Sequence, residues 1–272
     1  MKIKKIKWKN VFLLIIMLVS FMFLVISLIK IIKWQIDNNN TNTIINKIKN
    51  TVDIKEVDDD ENTEIINKDV DEDNPYWDYI KIKLIDVDFD ILKEINKDTV
   101  GWIQVAGTNI NYPFVQTSNN TYYLTHSLDK TYNKAGWVFL DYRNNINNLD
   151  KNTIIYAHGR KDTTMFGSLK DIFTDNWLEN KNNYVIKIST EKENSLWQIF
   201  STYIIDTTND YIKIDFDSDT EYEEFLEKII KRSSYNFNTS IDSSDKILTL
   251  STCYSSTQKI VVHAKLIKKA TK

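Results

Sequence analysis

The chain has 272 residues, 42% of them apolar and 12% aromatic; with a membrane segment set aside, that suffices for one folded domain of about 200 residues with a sizeable core. Thirty-five Lys and Arg against 38 Asp and Glu give a net charge of −3, which excludes a general nucleic-acid binder, since such a domain carries a basic surplus. A single cysteine, Cys253, excludes an intramolecular disulfide and every multi-cysteine zinc or iron–sulfur site, and the five glycines have no dinucleotide-fingerprint or phosphate-loop spacing.

Residues 11–29, Val11 to Ile29, carry no charge and consist mostly of Leu, Ile, Val, Phe and Met. At about 1.5 Å per residue this run makes roughly 28 Å of helix, enough to cross a bilayer core. Lys2, Lys4, Lys5, Lys7 and Lys9 in residues 1–10 outweigh Lys30 and Lys33 beyond the run, so the positive-inside bias predicts a single-pass cell-membrane protein with a cytoplasmic N-terminus and the remainder outside. Trp8 and Trp34 stand where indoles suit the two interfaces. The run exceeds a usual signal-peptide core and no small-x-small cleavage site follows it, so an uncleaved anchor in the lipid bilayer is expected.

Residues 30–75 read as a linker outside the membrane. From Gln35 to Asn74 there is no aromatic residue, and between Asp53 and Asp73 eleven acids face two lysines. A solvated, self-repelling spacer is expected there rather than a calcium site. Ordered sequence resumes at Pro75, Tyr76 and Trp77, opening a domain over 76–272.

That domain reads as mainly β. A short helix is expected over Asp88 to Lys97, followed by strands over 100–105, 136–140, 153–156, 184–188, 196–205, 246–252 and 260–267, with polar turns between them. Such a succession predicts a barrel or sandwich. Two helical stripes interrupt it. Met165, Phe166, Leu169, Ile172 and Phe173 follow His158. Tyr222, Phe225, Leu226, Ile229 and Ile230 repeat at helical spacing over Thr220 to Arg232, with Ser218 or Asp219 as cap.

Chemistry rests on Cys253 and three histidines. Cys253 ends a β-rich run at a polar turn, whereas a purely structural cysteine would more naturally sit mid-strand. A free thiol, with a pKa near 8.5, is only a few per cent thiolate at neutral pH, so nucleophilic use requires a nearby cation or imidazole. His158 closes the strand Thr153 to Tyr156 at a loop mouth and is the best partner. His263, inside the last strand, is expected to be structural, and His126 to be a packing or loop residue.

Several segments together resemble the class B sortases: Thr249-Leu-Ser-Thr-Cys253, Val261-Val-His-Ala-Lys-Leu266, Tyr156-Ala-His158 with Met165-Phe166, Gly101-Trp-Ile with Gly107-Thr-Asn-Ile-Asn-Tyr-Pro113, Tyr122-Tyr-Leu124 and Phe139-Leu-Asp-Tyr-Arg143. The resemblance runs in order over residues 85 to 268. It implies an eight-stranded β-barrel with peripheral helices, in an exported, membrane-anchored cysteine transpeptidase of Gram-positive bacteria that needs neither metal nor organic cofactor. By the same resemblance, Cys253 attacks the carbonyl after the Thr of a sorting signal on a secreted protein. The resulting thioacyl enzyme is resolved by an amine of a peptidoglycan precursor or a pilin subunit, with His158 as acid and base. Asn120 and Leu124 match signal-groove positions, and Ser251 and Thr252 flank the nucleophile.

Two departures stand out. The strand end reads Tyr156-Ala-His158-Gly159 instead of Tyr-Gly-His-Asn. More consequentially, the family's catalytic arginine is matched by Lys259, which supplies charge without the planar guanidinium fork; Arg160 is the other residue that could take its place. The alternative is therefore an impaired sortase-like envelope protein that binds sorting signals or partner proteins. A papain-type protease ranks below both, because its cysteine precedes its histidine.

Overall fold

The structure is a computed structural model, described here for residues 8–66 and 74–272. Lys2, Lys4, Lys5 and Lys7 and the acids from Asp69 to Asp73 lie outside the described residues. Helix α1 spans Trp8–Thr51, and its apolar part is long enough to cross a membrane and is unburied by the rest of the chain.

The expectation of a spacer over Gln35 to Asn74 differs from what the described residues show. Helix α1 continues to Thr51, and Asn38, Thr41, Ile45 and Ile48 are buried, as is Val52 just beyond. Steps of three and four place these residues on one face, a stripe masked by the Asn-rich composition around it. Strand β1 (Ile54–Val57) pairs antiparallel with β3 (Leu84–Val87), and β2 (Thr63–Ile65) joins the end of the last strand. The short helix α2 (Tyr76–Tyr79) lies between them. The acids have partners: Asp59 binds the fully buried Lys268 ammonium at 2.7 Å, which also donates to the carbonyls of Ile80 and Ile82, and Asp58 pairs with Lys83. A buried ammonium needs such saturation to be tolerated.

Helix α3 (Asp90–Ile95) and strand β4 (Thr99–Val105) follow, and then β5 (Asn111–Val115), which was not anticipated because Pro113 interrupts its β-pattern. Pro113 sits opposite Trp102 on β4, and its carbonyl accepts a hydrogen bond from the Trp137 indole. The expected strand at 136–140 shortens to β6 (Phe139–Leu140), and β7 covers Asn152–Tyr156. A 3₁₀ turn over Gly167–Phe173 carries Leu169, Ile172 and Phe173 of the first apolar stripe, with Met165 and Phe166 just before it, and helix α4 (Asp175–Glu179) follows. Beyond them come β8 (Val185–Ser189), β9 (Glu193–Asp206), α5 (Asp219–Lys231), β10 (Ile247–Cys253) and β11 (Gln258–Thr271). The Ser218 hydroxyl caps α5 by accepting from the Glu221 amide.

Eight of these strands close a barrel in the order β10-β7-β6-β5-β4-β8-β9-β11, with β11 returning to β10 and β2 added at the edge. The core includes Trp102, Phe114, Trp137, Leu169, Trp197 and Leu250, and Tyr222, Phe225, Leu226 and Ile229 of α5 cover a second cluster outside the wall with Phe200, Tyr203 and Val261. Closure leaves no free edge in the main ring and holds the two ends of the barrel as rigid rims.

Candidate active site

The site lies where β7 and β10 end side by side. They pair in parallel with Ser251 opposite Tyr156, and the Ala157 amide extends the ladder to the Ser251 carbonyl. His158 and Cys253, each two residues further on, therefore leave the barrel at the same rim. The strand ends approach closely: a Cβ on Gly159 would stand 2.0 Å from the Cys253 carbonyl oxygen, so any side chain at 159 would push the two loops apart.

Lys259 comes to the same place through the hairpin. Cys253 and Lys259 are paired across β10 and β11, and the Lys259 Nζ donates to the Cys253 Sγ at 3.0 Å. An ammonium at this distance stabilises negative charge on sulfur by Coulomb attraction. Arg160 is committed elsewhere. Its guanidinium binds Asp162 at 2.7 Å, the Thr164 hydroxyl at 2.8 Å and the side chain of Asn38 on α1.

His158 is half-buried, and its Nε2 bonds to the Leu124 carbonyl at 2.7 Å. A carbonyl only accepts, so Nε2 carries the proton in this arrangement. Gly136, at φ +61°, lies against the ring: a Cβ there would come within 3.0 Å of His158 Cδ2 and 2.5 Å of the Tyr123 carbonyl.

A cleft of about 390 Å³ joins these groups, and all seven residues nominated from sequence line it: Asn120, Leu124, His158, Ser251, Thr252, Cys253 and Lys259. Sequence reasoning missed the opposite wall. Tyr211 and Ile212, from the loop between β9 and α5, complete it with Phe139 and Tyr156. The Tyr211 hydroxyl lies 2.9 Å from Ser251 Oγ, and burial raises its pKa. Loop residues contributed from so far along the chain leave no local pattern to read.

Behind the cleft sits the buried Asp141. It accepts from Asn120 Nδ2, the Tyr156 hydroxyl and, in bidentate fashion, Arg143. Burial opposes its charge, but the Arg143 bonds with the other donors outweigh burial and hold the carboxyl below its ordinary value. The Asn120 carbonyl oxygen accepts from the Tyr142 amide, so both ends of its side chain are fixed.

The other histidines stand apart. His263 is fully buried, bonded to Tyr203 and Thr249, and burial, with repulsion from Arg232, brings its pKa down to about 3. His126 stacks on Tyr122 with ring centroids 4.0 Å apart.

A family model described as a sortase domain matches residues 103–267. Sortase B of Staphylococcus aureus is 39% identical over 184 residues, covering 66% of this chain and 75% of that protein. Sortase B of Listeria monocytogenes is 36% identical over 182 residues, covering 65% and 73%. A solved Staphylococcus aureus sortase B–substrate complex superposes with a TM-score of 0.62 at 38% identity, over 66% of this chain and 84% of that one. The closed eight-stranded barrel and these likenesses agree, and the chain belongs to the sortase family, within class B.

Proposed function

We propose that the chain is a membrane-anchored cysteine transpeptidase in which Cys253, His158 and Lys259 carry the reaction. The observation that supports this most is the convergence of the three on one rim of the barrel, with the Lys259 ammonium 3.0 Å from the Cys253 sulfur. In the first step Cys253 Sγ, its proton passed to His158, attacks the carbonyl carbon after the Thr of a sorting signal, and the oxyanion of the tetrahedral adduct takes its electrostatic support from Lys259. The scissile C–N bond then breaks, and His158 gives a proton to the departing amine, leaving a thioacyl enzyme. In the second step an acceptor amine, from cell-wall peptide or a pilin subunit, attacks the thioester carbonyl. His158 takes its proton and the sulfur leaves.

The cleft walls fit a short, largely uncharged peptide: Leu124, Phe139, Ala157 and Ile212 supply apolar surface, and among the described residues no carboxylate lines it. Fixed at both ends, Asn120 offers a remaining amide hydrogen to a peptide carbonyl. Residues 11–29 hold the protein in the cell membrane, with the N-terminus cytoplasmic and the barrel outside. No cofactor or metal enters the scheme.

The replacement of arginine by lysine favours one second reading, a sortase-like protein that binds sorting signals without turning them over. Full-length protein in detergent, mixed with a panel of sorting peptides and an amine, decides between them. Amide-exchange product that disappears in Cys253→Ala is expected. Tight binding without product, also in Lys259→Arg, would favour the second reading.

A further inference from the structure

Two polar side chains on the docked part of α1 touch the surroundings of His158 and nothing in the scheme above uses them. Asn38 and Thr41 are 6% and 1% exposed. They interrupt a stripe whose remaining members, Ile45, Ile48 and Val52, are apolar, so burial alone does not explain them. The Asn38 carbonyl oxygen accepts from the guanidinium of Arg160, two residues beyond His158. The Thr41 hydroxyl and the Asp37 carbonyl accept from the side-chain amide of Asn133, at 3.0 and 3.1 Å.

Both contacts lead to the imidazole. Asn133 begins the turn that ends at Gly136, the residue lying against the His158 ring, and its backbone N–H donates to the Thr125 carbonyl, next to the Leu124 carbonyl that holds Nε2. Arg160 belongs to the loop that carries His158 itself. Within that loop Thr163 and Met165 take left-handed backbone conformations, φ 64° and 52°. Such residues persist only where the surroundings over-determine them, the more so for a β-branched threonine.

We infer that Asn38 and Thr41 are positioning residues that set the orientation of His158, so that the helix which spans the membrane is also the support of the acid–base group. Asn38 lies nine residues beyond Ile29, about 14 Å along the helix. Anchor and support are therefore one continuous rod, and the rim bearing His158 is held at a set height above the bilayer. The inference rests on the reading of His158 as the acid–base group.

The test uses full-length protein in lipid nanodiscs with two paired variants. Asn38→Leu with Thr41→Val removes the polar seam and keeps the apolar stripe that docks the helix. Asn38→Asp with Thr41→Ser keeps both acceptors. The first pair is expected to lower kcat roughly tenfold or more, with KM for the sorting peptide unchanged, and to displace the His158 ring signal in a 1H–15N spectrum. The second pair is expected to match wild type in both readouts. Unchanged kcat, an unmoved ring signal in the first pair, or an equal loss in both pairs overturns the inference. If wild type turns over no peptide, the transpeptidase reading fails, and the ring signal alone decides this one: displaced in the first pair only, it stands; unmoved, it falls.

Discussion

His263 gives the sharpest quantitative test of the division of labour among the histidines. Its ring is enclosed between the Tyr203 and Thr249 hydroxyls, and its pKa is lowered from 6.5 to about 3 by burial and then by Arg232. Above about pH 6.5 the ring is neutral in both folded and unfolded chain, and it adds no pH dependence. Between about pH 6.5 and 3 the unfolded chain takes up a proton that the native protein refuses, so stability falls as pH falls, by at most about 1.4 kcal/mol per unit. Acidification from about pH 7 to about pH 4.5 therefore removes roughly 2–3 kcal/mol through this residue. In a domain of this size that corresponds to about 5–10 °C in Tm. Buried carboxylates such as Asp141 act in the same direction, which makes the comparison with His263→Gln the informative one. That variant, melted at both pH values, should start lower at neutral pH and lose several degrees less on acidification, while keeping near wild-type turnover. Equal losses in Tm for the two proteins would refute the assignment of a buried, neutral, structural imidazole.

Lys259→Ala should lose on the order of a hundredfold in turnover with little change in Tm, the usual cost of one oxyanion donor, whereas Lys259→Arg should retain or raise the rate; steady-state kinetics that place the large loss at Arg160→Ala instead would reassign the role. Asp141→Asn, which weakens the pair with Arg143 and the hold on Asn120, should cost about 1.5–3 kcal/mol in denaturant titrations and raise KM for the peptide; an unaltered KM would remove Asn120 from the binding wall. Cys253 is the sole cysteine and is exposed, so a membrane-impermeant maleimide should label it in intact cells. Labelling only after lysis would reverse the proposed topology.

The parts of the molecule legible from sequence were those governed by short-range pattern. The stripe of α5, the strand ends carrying His158 and Cys253, and the run Val11 to Ile29 each lie within a few turns or one strand. Other features depended on partners far along the chain. The docking face of α1 was hidden because Asn38 and Thr41, polar by composition, are buried against Asn133 and Arg160. Asp58 and Asp59, in what looked like a spacer, are matched to Lys83 and Lys268. Strand β5 was obscured by Pro113, which barrel closure nonetheless accommodates opposite Trp102. Tyr211 entered the site only because the loop after β9 folds back over Ser251. Lys259 illustrates the converse, since the hairpin register that sets it opposite Cys253 follows from a turn only four residues long, 254–257.

Transpeptidation by this route requires that Cys253 become acylated by a sorting signal. Intact-protein mass spectrometry of full-length enzyme, mixed with a sorting peptide and quenched in acid, reads this directly. A mass increase equal to the acyl fragment ending at Thr is expected, located on Cys253, discharged by added amine and absent from Cys253→Ala. Product formation without any such adduct, or an adduct that persists in Cys253→Ala, would contradict this route.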